Sequence, residues 1–235
     1  MSDTTLPHPL LAPLFEAERQ RFIAAHPQSL ALWQQAQAHF LFGVPMHWMR
    51  DWPTPATLFV RQAFGVTLEC ADGVHYTDFC LGDTGAMFGH SPAPVAQAIA
   101  EQAAQGLTCM LPSTRTVAVG EGLQRVFGLP QWQLALSASD ANRFVLRWAR
   151  AITGRPQLLV FDGCYHGAVD DTLVDMDPTT GATLPRPSVL GQVHNHHAFT
   201  RVVPFNDLPA LRAALAQGDV AALLAEPALT NFGLV

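Results

Sequence analysis

Three short motifs follow stretches that have the apolar pattern of β-strands. The first precedes a predicted helix, whose N-terminal N–H groups and positive dipole end favour an anion, most simply a phosphate. The other two lie at the carboxyl ends of predicted parallel strands, where open α/β sheets bind their ligands. The pattern therefore predicts one ligand site with an anion-binding part. The motif residues are Ser137, Ala138 and Ser139, then Tyr165, His166 and Gly167, and finally Glu226.

The serines of the first motif have two interpretations. Ala138 and its neighbours are small enough for a phosphate to approach the backbone, and the hydroxyl of Ser137 or Ser139 could donate a hydrogen bond to it. Alternatively, Ser137 is an ordinary helix N-cap that faces Asp140. Spacing alone leaves both interpretations open.

The second motif offers an aromatic face and a titratable group. Tyr165 could stack on an aromatic ring and His166 could form hydrogen bonds, while Gly167 permits a tight turn. The alternative is a strand end at which both side chains are merely packed. A nucleophilic pair of Cys164 and His166 is less favoured, because nothing supplies a third member.

Glu226 could orient a histidine or an arginine or pair with a bound cation, although a surface glutamate before a turn proline has the same pattern. The run His194-Asn195-His196-His197 suggests a metal, but it lacks a carboxylate at ligand spacing. We therefore predict no metal site.

Helical spacing in the first forty residues predicts two helices, which are broken at His26-Pro27. A loop that is rich in proline and tryptophan follows at 43–55 and is a candidate pocket wall. Alternation on both sides of Asp72-Gly73, a favoured hairpin turn, predicts an antiparallel meander.

Helices alternate with short apolar strands after residue 90, which predicts an α/β domain with a largely parallel sheet. One helix begins near residue 138, and its apolar stripe includes Phe144, Trp148 and Ile152. The long irregular segment 162–199 is expected to lie over the site. Strands are predicted at 133–136, 158–161, 202–203 and 220–225.

Composition excludes several classes of protein. A net charge of −6 argues against nucleic acid as a partner, and no apolar run is long enough to span a membrane. The N-terminus has no signal-peptide pattern, so we expect a cytoplasmic protein. The four cysteines are widely separated and predict neither a disulfide framework nor a zinc site. All 13 basic residues are arginine, so the chain contains no lysine.

In their order along the chain, the motifs resemble those of the class III, fold-type I aminotransferases, which use pyridoxal 5′-phosphate (PLP), especially the branch around glutamate-1-semialdehyde aminomutase. CADGVHYTDFCLGDTGAMFGH resembles the family's Asp-Gly hairpin and glycine-rich turn, and SASDANRF its Ser-Gly-Thr-Glu-Ala stretch. FDGCYHG resembles its Tyr-His-Gly segment, and LLAEPALTNFG its Glu-Pro strand end. The resemblance extends from about residue 59 to residue 235.

The resemblance implies an incomplete large domain with a mostly parallel sheet and helices on both faces, preceded by N-terminal helices and a small meander. It implies segments at 1–58, 59–90 and 91–235. The cofactor phosphate would lie at Ala138 and Ser139, although the family has glycine at the first position and glutamate in place of Asp140. The remaining implied roles are ring stacking by Tyr165, a wall formed by His166 and Gly167, a polar network that includes Glu226, a contact from Asn231 to the phenolic oxygen, and a substrate border formed by Trp48 and Thr84.

The implied activity is transfer of an amino group between an amine or amino acid and a keto or aldehyde acceptor, in a homodimer. In the family, an aspartate and the Schiff-base lysine follow the Glu-Pro strand, and neither is present here. We therefore expect this chain to be the N-terminal part of the enzyme. The alternatives are an intramolecular 2,1-aminomutase of the same fold and a non-catalytic remnant that acts as a binding protein.

Overall fold

The described strands form three separate sheets, two antiparallel and one parallel. The computed structural model describes residues 11–83, 85–187 and 189–229. The chain separates into two units, Met1–Pro112 and Ser113–Val235. The division into segments 1–58, 59–90 and 91–235 stays a prediction. Within the described ranges, no helix is both long and apolar enough to cross a membrane.

The first unit contains the predicted pair of N-terminal helices and the predicted antiparallel meander, whose three strands pair in the order in which they follow one another along the chain. The two helices are interrupted at His26, as predicted from the proline that follows it. The elements are α1 (Leu11–Ala25), α2 (Pro27–Ala36), β1 (Val60–Phe64), β2 (Thr67–Cys70), β3 (His75–Thr77) and α3 (Ala93–Ala103), with short 3-10 helices at Leu41–Gly43 and His47–Asp51.

The hairpin turn at Asp72-Gly73 also stabilises the start of α2. The N-cap residue of that helix, His26, makes no side-chain capping hydrogen bond. Instead, the Asp72 carboxylate accepts hydrogen bonds from the backbone N–H groups of Gln28, at 2.6 Å, and Ser29, at 3.1 Å. The turn therefore satisfies backbone donors that the helix leaves unpaired.

The second unit is built on a parallel sheet of β4 (Gln157–Phe161), β7 (Thr200–Val203) and β8 (Val220–Leu223), in which β4 lies between the other two. A two-stranded antiparallel sheet, β5-β6, is inserted after the central strand. The elements are α4 (Thr116–Phe127), α5 (Ala138–Thr153), β4 (Gln157–Phe161), β5 (Val174–Met176), β6 (Thr183–Pro185), β7 (Thr200–Val203), α6 (Leu208–Ala216) and β8 (Val220–Leu223).

Alternate side chains of the central strand β4 face opposite sides of this sheet. Leu158 and Val160 pack in one cluster with Leu146 of α5. Leu159 packs on the other side with Ala214 of α6. The strand, apolar from Leu158 to Phe161, is thus covered on both faces, as expected for a parallel sheet. This confirms the predicted α/β class with helices on both faces.

Two predictions between residues 130 and 200 are wrong. The stretch 133–136 forms no strand, and among the described strands none pairs with it. Leu136 is fully exposed there. The segment 162–199 is not irregular throughout, because the β5-β6 pair is built into it. Alternating apolar residues indicate a strand only where a neighbour supplies hydrogen bonds.

The apolar stripe predicted on α5 is not the face that the helix buries. Phe144, Trp148 and Ile152 are exposed, the last of them by 83%. The residue of α5 that is buried is Leu146, which is 3% exposed. Periodicity shows which face of a helix is apolar but not what packs against it.

Candidate active site

Helix α5 begins at the predicted anion site with a side-chain cap. Ser137 has extended backbone angles, with φ −146° and ψ 160°, and its Oγ accepts a hydrogen bond from the Asp140 N–H at 3.1 Å. The same hydroxyl donates to the Asp140 carboxylate at 2.9 Å. The N-cap interpretation of Ser137 is therefore realised, and its hydroxyl is already engaged. The 16-residue helix still directs its first N–H groups and its positive dipole end out of this terminus.

The start of α5 lies very close to the turn that follows β4. Ser139 Oγ accepts a hydrogen bond from the Ala168 N–H at 3.0 Å. Gly167 has φ +84°, and a Cβ at this position would lie 2.3 Å from Ser139 Oγ. Only glycine fits this approach without displacement of the helix. The structure thus brings the first two predicted motifs together.

Two further side chains of α5 hold the same turn, and the sequence analysis missed both. Asn142 Nδ2 donates to the His166 carbonyl at 2.9 Å, and Arg143 Nη2 donates to the Ala168 carbonyl at 2.7 Å. Their spacing from Ser139 is three and four residues, so the three side chains share one helix face. Polar residues at this spacing just after a helix N-cap were the available signal.

Tyr165 and Glu226 meet at the carboxyl ends of neighbouring strands. The Tyr165 backbone N–H donates to Glu226 Oε2 at 3.1 Å. The Tyr165 side chain is 47% exposed, so its ring is accessible for stacking. The third motif therefore contacts the second through the parallel pairing of β4 and β8.

His166 is buried beneath this turn, with 7% of its surface exposed. Burial lowers the pKa of His166, although the nearby Glu226 carboxylate and the Leu224 backbone act in the opposite direction. The imidazole is therefore neutral at physiological pH. Its Nε2 atom is buried and has no hydrogen-bond partner among the described residues, which is uncommon for a buried polar atom.

Cys164 does not form a nucleophilic pair with this histidine. Burial raises the pKa of the Cys164 thiol to about 11, against a smaller opposite effect of the Arg186 guanidinium. The thiol is consequently protonated at neutral pH, whereas the thiolate is the nucleophilic form.

The remaining predicted residues belong to the first unit or are outside the described residues. Trp48 belongs to the first unit, where its ring meets Trp52 edge-on at 6.0 Å and 77°. Thr84 and Asn231 are outside the residues that the structure describes. In the histidine run, His196 Nε2 lies 3.7 Å from an Asp170 carboxylate oxygen. Among the described residues, no group of three potential metal ligands comes together.

Comparisons with known proteins identify the fold. The chain superposes on the crystal structure of a glutamate-1-semialdehyde aminomutase from Pseudomonas aeruginosa with a TM-score of 0.90 and 49% identity, over 95% of this chain and 49% of the other. A lysine-to-alanine variant of that aminomutase is in complex with PMP. An omega-transaminase from Sphaerobacter thermophilus matches with a TM-score of 0.79 and 25% identity, over 91% of this chain and 50% of the other. The fold is that of the fold-type I, PLP-dependent transferases.

Sequence relatives identify the family within that fold. The family model for class-III aminotransferases matches residues 49–235, and the chain belongs to this family. It is 35% identical over 181 residues to the glutamate-1-semialdehyde 2,1-aminomutase of Bordetella avium, and 34% identical over 182 residues to that of Sorangium cellulosum. The chain spans 42% and 41% of the lengths of these curated relatives.

Proposed function

We propose that this chain forms the phosphate-binding and ring-stacking wall of a PLP site in an enzyme that moves an amino group. The observation that carries the proposal is the close approach of the α5 N-terminus to the turn at Tyr165–Gly167. This contact joins an anion-binding helix end to an accessible aromatic ring. A phosphorylated aromatic cofactor needs both.

The phosphate would lie at the N-terminus of α5. The Ser139 oxygen accepts the Ala168 N–H, which leaves the hydroxyl hydrogen available for a phosphate oxygen. Gly167 keeps the approach free of a side chain, because a Cβ there would meet Ser139. Ala138, where the family has glycine, would contribute its backbone N–H, while the Ser137 hydroxyl acts through the cap.

The cofactor ring would stack on Tyr165, whose turn is supported by the buried His166 and by Glu226. The unpaired His166 Nε2 is a buried polar atom in this wall, which fits a site that a polar ligand completes. Glu226 fixes the backbone on which the tyrosine is carried. Asn231 is proposed as a contact to the phenolic oxygen, and Trp48 and Thr84 as the border of the substrate.

When bound, PLP supplies an electron sink for the carbon that carries the amino group. The residues of this chain bind and orient that group. The chain has no lysine, so we assign none of its side chains to proton transfer at the substrate carbon. The residues that complete the site belong to the longer protein that the relatives represent.

For the reaction we propose transfer of an amino group between an amine or amino acid and a keto or aldehyde acceptor. A second candidate is an intramolecular 2,1-aminomutase, which is supported by 49% identity to an enzyme of that name. Product analysis of the enzyme from its natural source separates the two. An aminomutase converts glutamate 1-semialdehyde without an added amino acceptor, whereas a transaminase requires one.

We further propose a homodimer in the cytoplasm. Large exposed apolar side chains, including Trp48 and Trp52, suit a subunit interface. Sedimentation analysis of the native protein tests this assembly, and a monomer at micromolar concentration would contradict it.

Binding of PMP to the purified chain tests the cofactor proposal, since PMP needs no lysine for attachment. We expect saturable binding, and Ser139→Ala should weaken it about tenfold through loss of a hydrogen bond to a charged group. Ser113→Ala is the matched control, because the Ser113 hydroxyl also accepts one backbone N–H, from Arg115. Absence of PMP binding would contradict the proposal and favour the non-catalytic alternative. Equal affinity in Ser139→Ala would contradict the phosphate assignment.

A further inference from the structure

The peptide group that joins Cys164 to Tyr165 is held at both of its polar ends. Its N–H donates to Glu226 Oε2 at 3.1 Å. Its carbonyl accepts a hydrogen bond from Arg186 Nη2 at 3.0 Å. A carboxylate at the N–H end and a guanidinium at the C=O end both match the peptide dipole, and charged partners strengthen each hydrogen bond. The orientation of this peptide sets where the Tyr165 ring lies.

Arg186 is itself fixed by the β5-β6 pair. Its Nε lies 3.0 Å from the Asp175 carboxylate, and its Nη2 also donates to the Val174 carbonyl at 3.2 Å. Its backbone N–H donates to the Leu173 carbonyl at 3.0 Å. The side chain is only 12% exposed. The guanidinium therefore occupies one position, which ties this antiparallel pair to the end of β4.

The two charged groups also affect the same neighbours with opposite sign. The Glu226 carboxylate acts to raise the pKa of both Cys164 and His166, and the Arg186 guanidinium acts to lower both. Glu226 and Arg186 thus place one negative and one positive charge beside the turn that carries Tyr165. Removal of either charge would leave the other beside a largely buried segment.

We propose that Arg186 is a positioning residue for the cofactor site, which acts through the Cys164–Tyr165 peptide to hold the Tyr165 ring in its stacking orientation. This inference rests on the proposed function, because the ring needs a ligand to stack on. The role proposed for Arg186 runs through this peptide and needs no direct contact with the ligand.

The first test needs no ligand. The chain has only two tyrosines, so selective ¹⁵N-tyrosine labelling gives two amide signals, which the variant Tyr76→Phe assigns. Arg186→Met keeps the aliphatic stem and removes the donors, so we expect the Tyr165 signal to shift while that of Tyr76 stays in place. In Arg186→Lys the Tyr165 signal should shift less than in Arg186→Met, because the lysine ammonium group can still donate a hydrogen bond.

The control is Arg201→Met, which removes an arginine that pairs with Asp219 at 3.0 and 2.9 Å elsewhere in the same unit. It should leave both tyrosine signals unchanged even if it lowers the melting temperature. An unchanged Tyr165 signal in Arg186→Met, or an equal shift in Arg201→Met, would overturn the positioning role. Movement of the Tyr165 signal to its random-coil position would report unfolding of the second unit, and Arg186→Lys then becomes the deciding variant.

The second test is PMP affinity in the same proteins. We expect Arg186→Met to weaken binding about tenfold, Arg186→Lys to weaken it less, and Arg201→Met to leave it unchanged. If the wild-type chain does not bind PMP, the proposed function fails and this inference fails with it. If the wild type binds and Arg186→Met binds equally well, only the positioning role is wrong.

Discussion

Gly167 is the residue at which α5 and the turn after β4 come closest. Gly167→Ala would place a Cβ 2.3 Å from Ser139 Oγ and would also strain a backbone at φ +84°. The strain alone costs about 1–2 kcal/mol. Displacement of the helix adds about 1–3 kcal/mol. We therefore expect a total loss of roughly 2–5 kcal/mol in the free energy of unfolding, measured by urea denaturation.

Gly181→Ala is the matched control, because Gly181 has φ +71° but no atom within 4 Å of the added Cβ. It should show the strain without the clash. Equal losses for the two variants would mean that α5 and the turn do not meet as closely as described.

His166 makes stability depend on pH. Burial lowers its pKa in the folded state, so between the folded and unfolded pKa values the unfolded chain binds more protons. The stability contributed by the neutral imidazole is complete above about pH 6.5 and is lost as pH falls below that value. His166→Gln should remove this part of the pH dependence, as measured by urea denaturation between pH 5.5 and 8. His194→Gln, at an exposed site, should leave it unchanged.

At the level of elements, the buried contact of α5 rests on one residue. Leu146 packs against Leu158 and Val160 and is 3% exposed, so Leu146→Ala should cost about 2–5 kcal/mol through the cavity it leaves. Ile152→Ala, on the same helix at 83% exposure, should change stability by less than about 0.5 kcal/mol. Chemical denaturation compares the two. A larger loss for Ile152→Ala would show that the helix is held through its apolar stripe and not through Leu146.

The sequence predicted the helices and hairpins better than it predicted which side chains are buried and which strands pair. The proline after His26 and the Asp72-Gly73 turn identified the break between the first two helices and the hairpin, because such signals are local. Burial and pairing depend on distant partners, which explains why the predicted strand at 133–136 is absent from the described sheets and why Ile152 is exposed. The same limit applies to the site. The strand ends and the Ser137 cap were visible in the sequence, whereas the contacts of Asn142 and Arg186 appear only after folding.

For the whole molecule, the complete replacement of lysine by arginine has a chemical consequence. Thirteen guanidinium groups supply positive charge and bidentate hydrogen bonds, but they stay protonated at any physiological pH. They cannot act as the amine nucleophile that attaches PLP to its enzymes. Whatever affinity this chain has for the cofactor therefore comes from non-covalent contacts, among them those to the phosphate and the ring.

We accordingly expect PLP and PMP to bind with similar affinity, because neither gains a covalent link to a side chain. After incubation with PLP and borohydride reduction, peptide mapping should find no pyridoxyl group on any internal residue, while the 25.5 kDa chain retains reversible binding. Ser139→Ala should weaken both ligands to the same extent, since they share the phosphate. A reduced adduct on an internal side chain, or much tighter binding of PLP than of PMP, would show that attachment uses a group other than those at the α5 N-terminus and Tyr165.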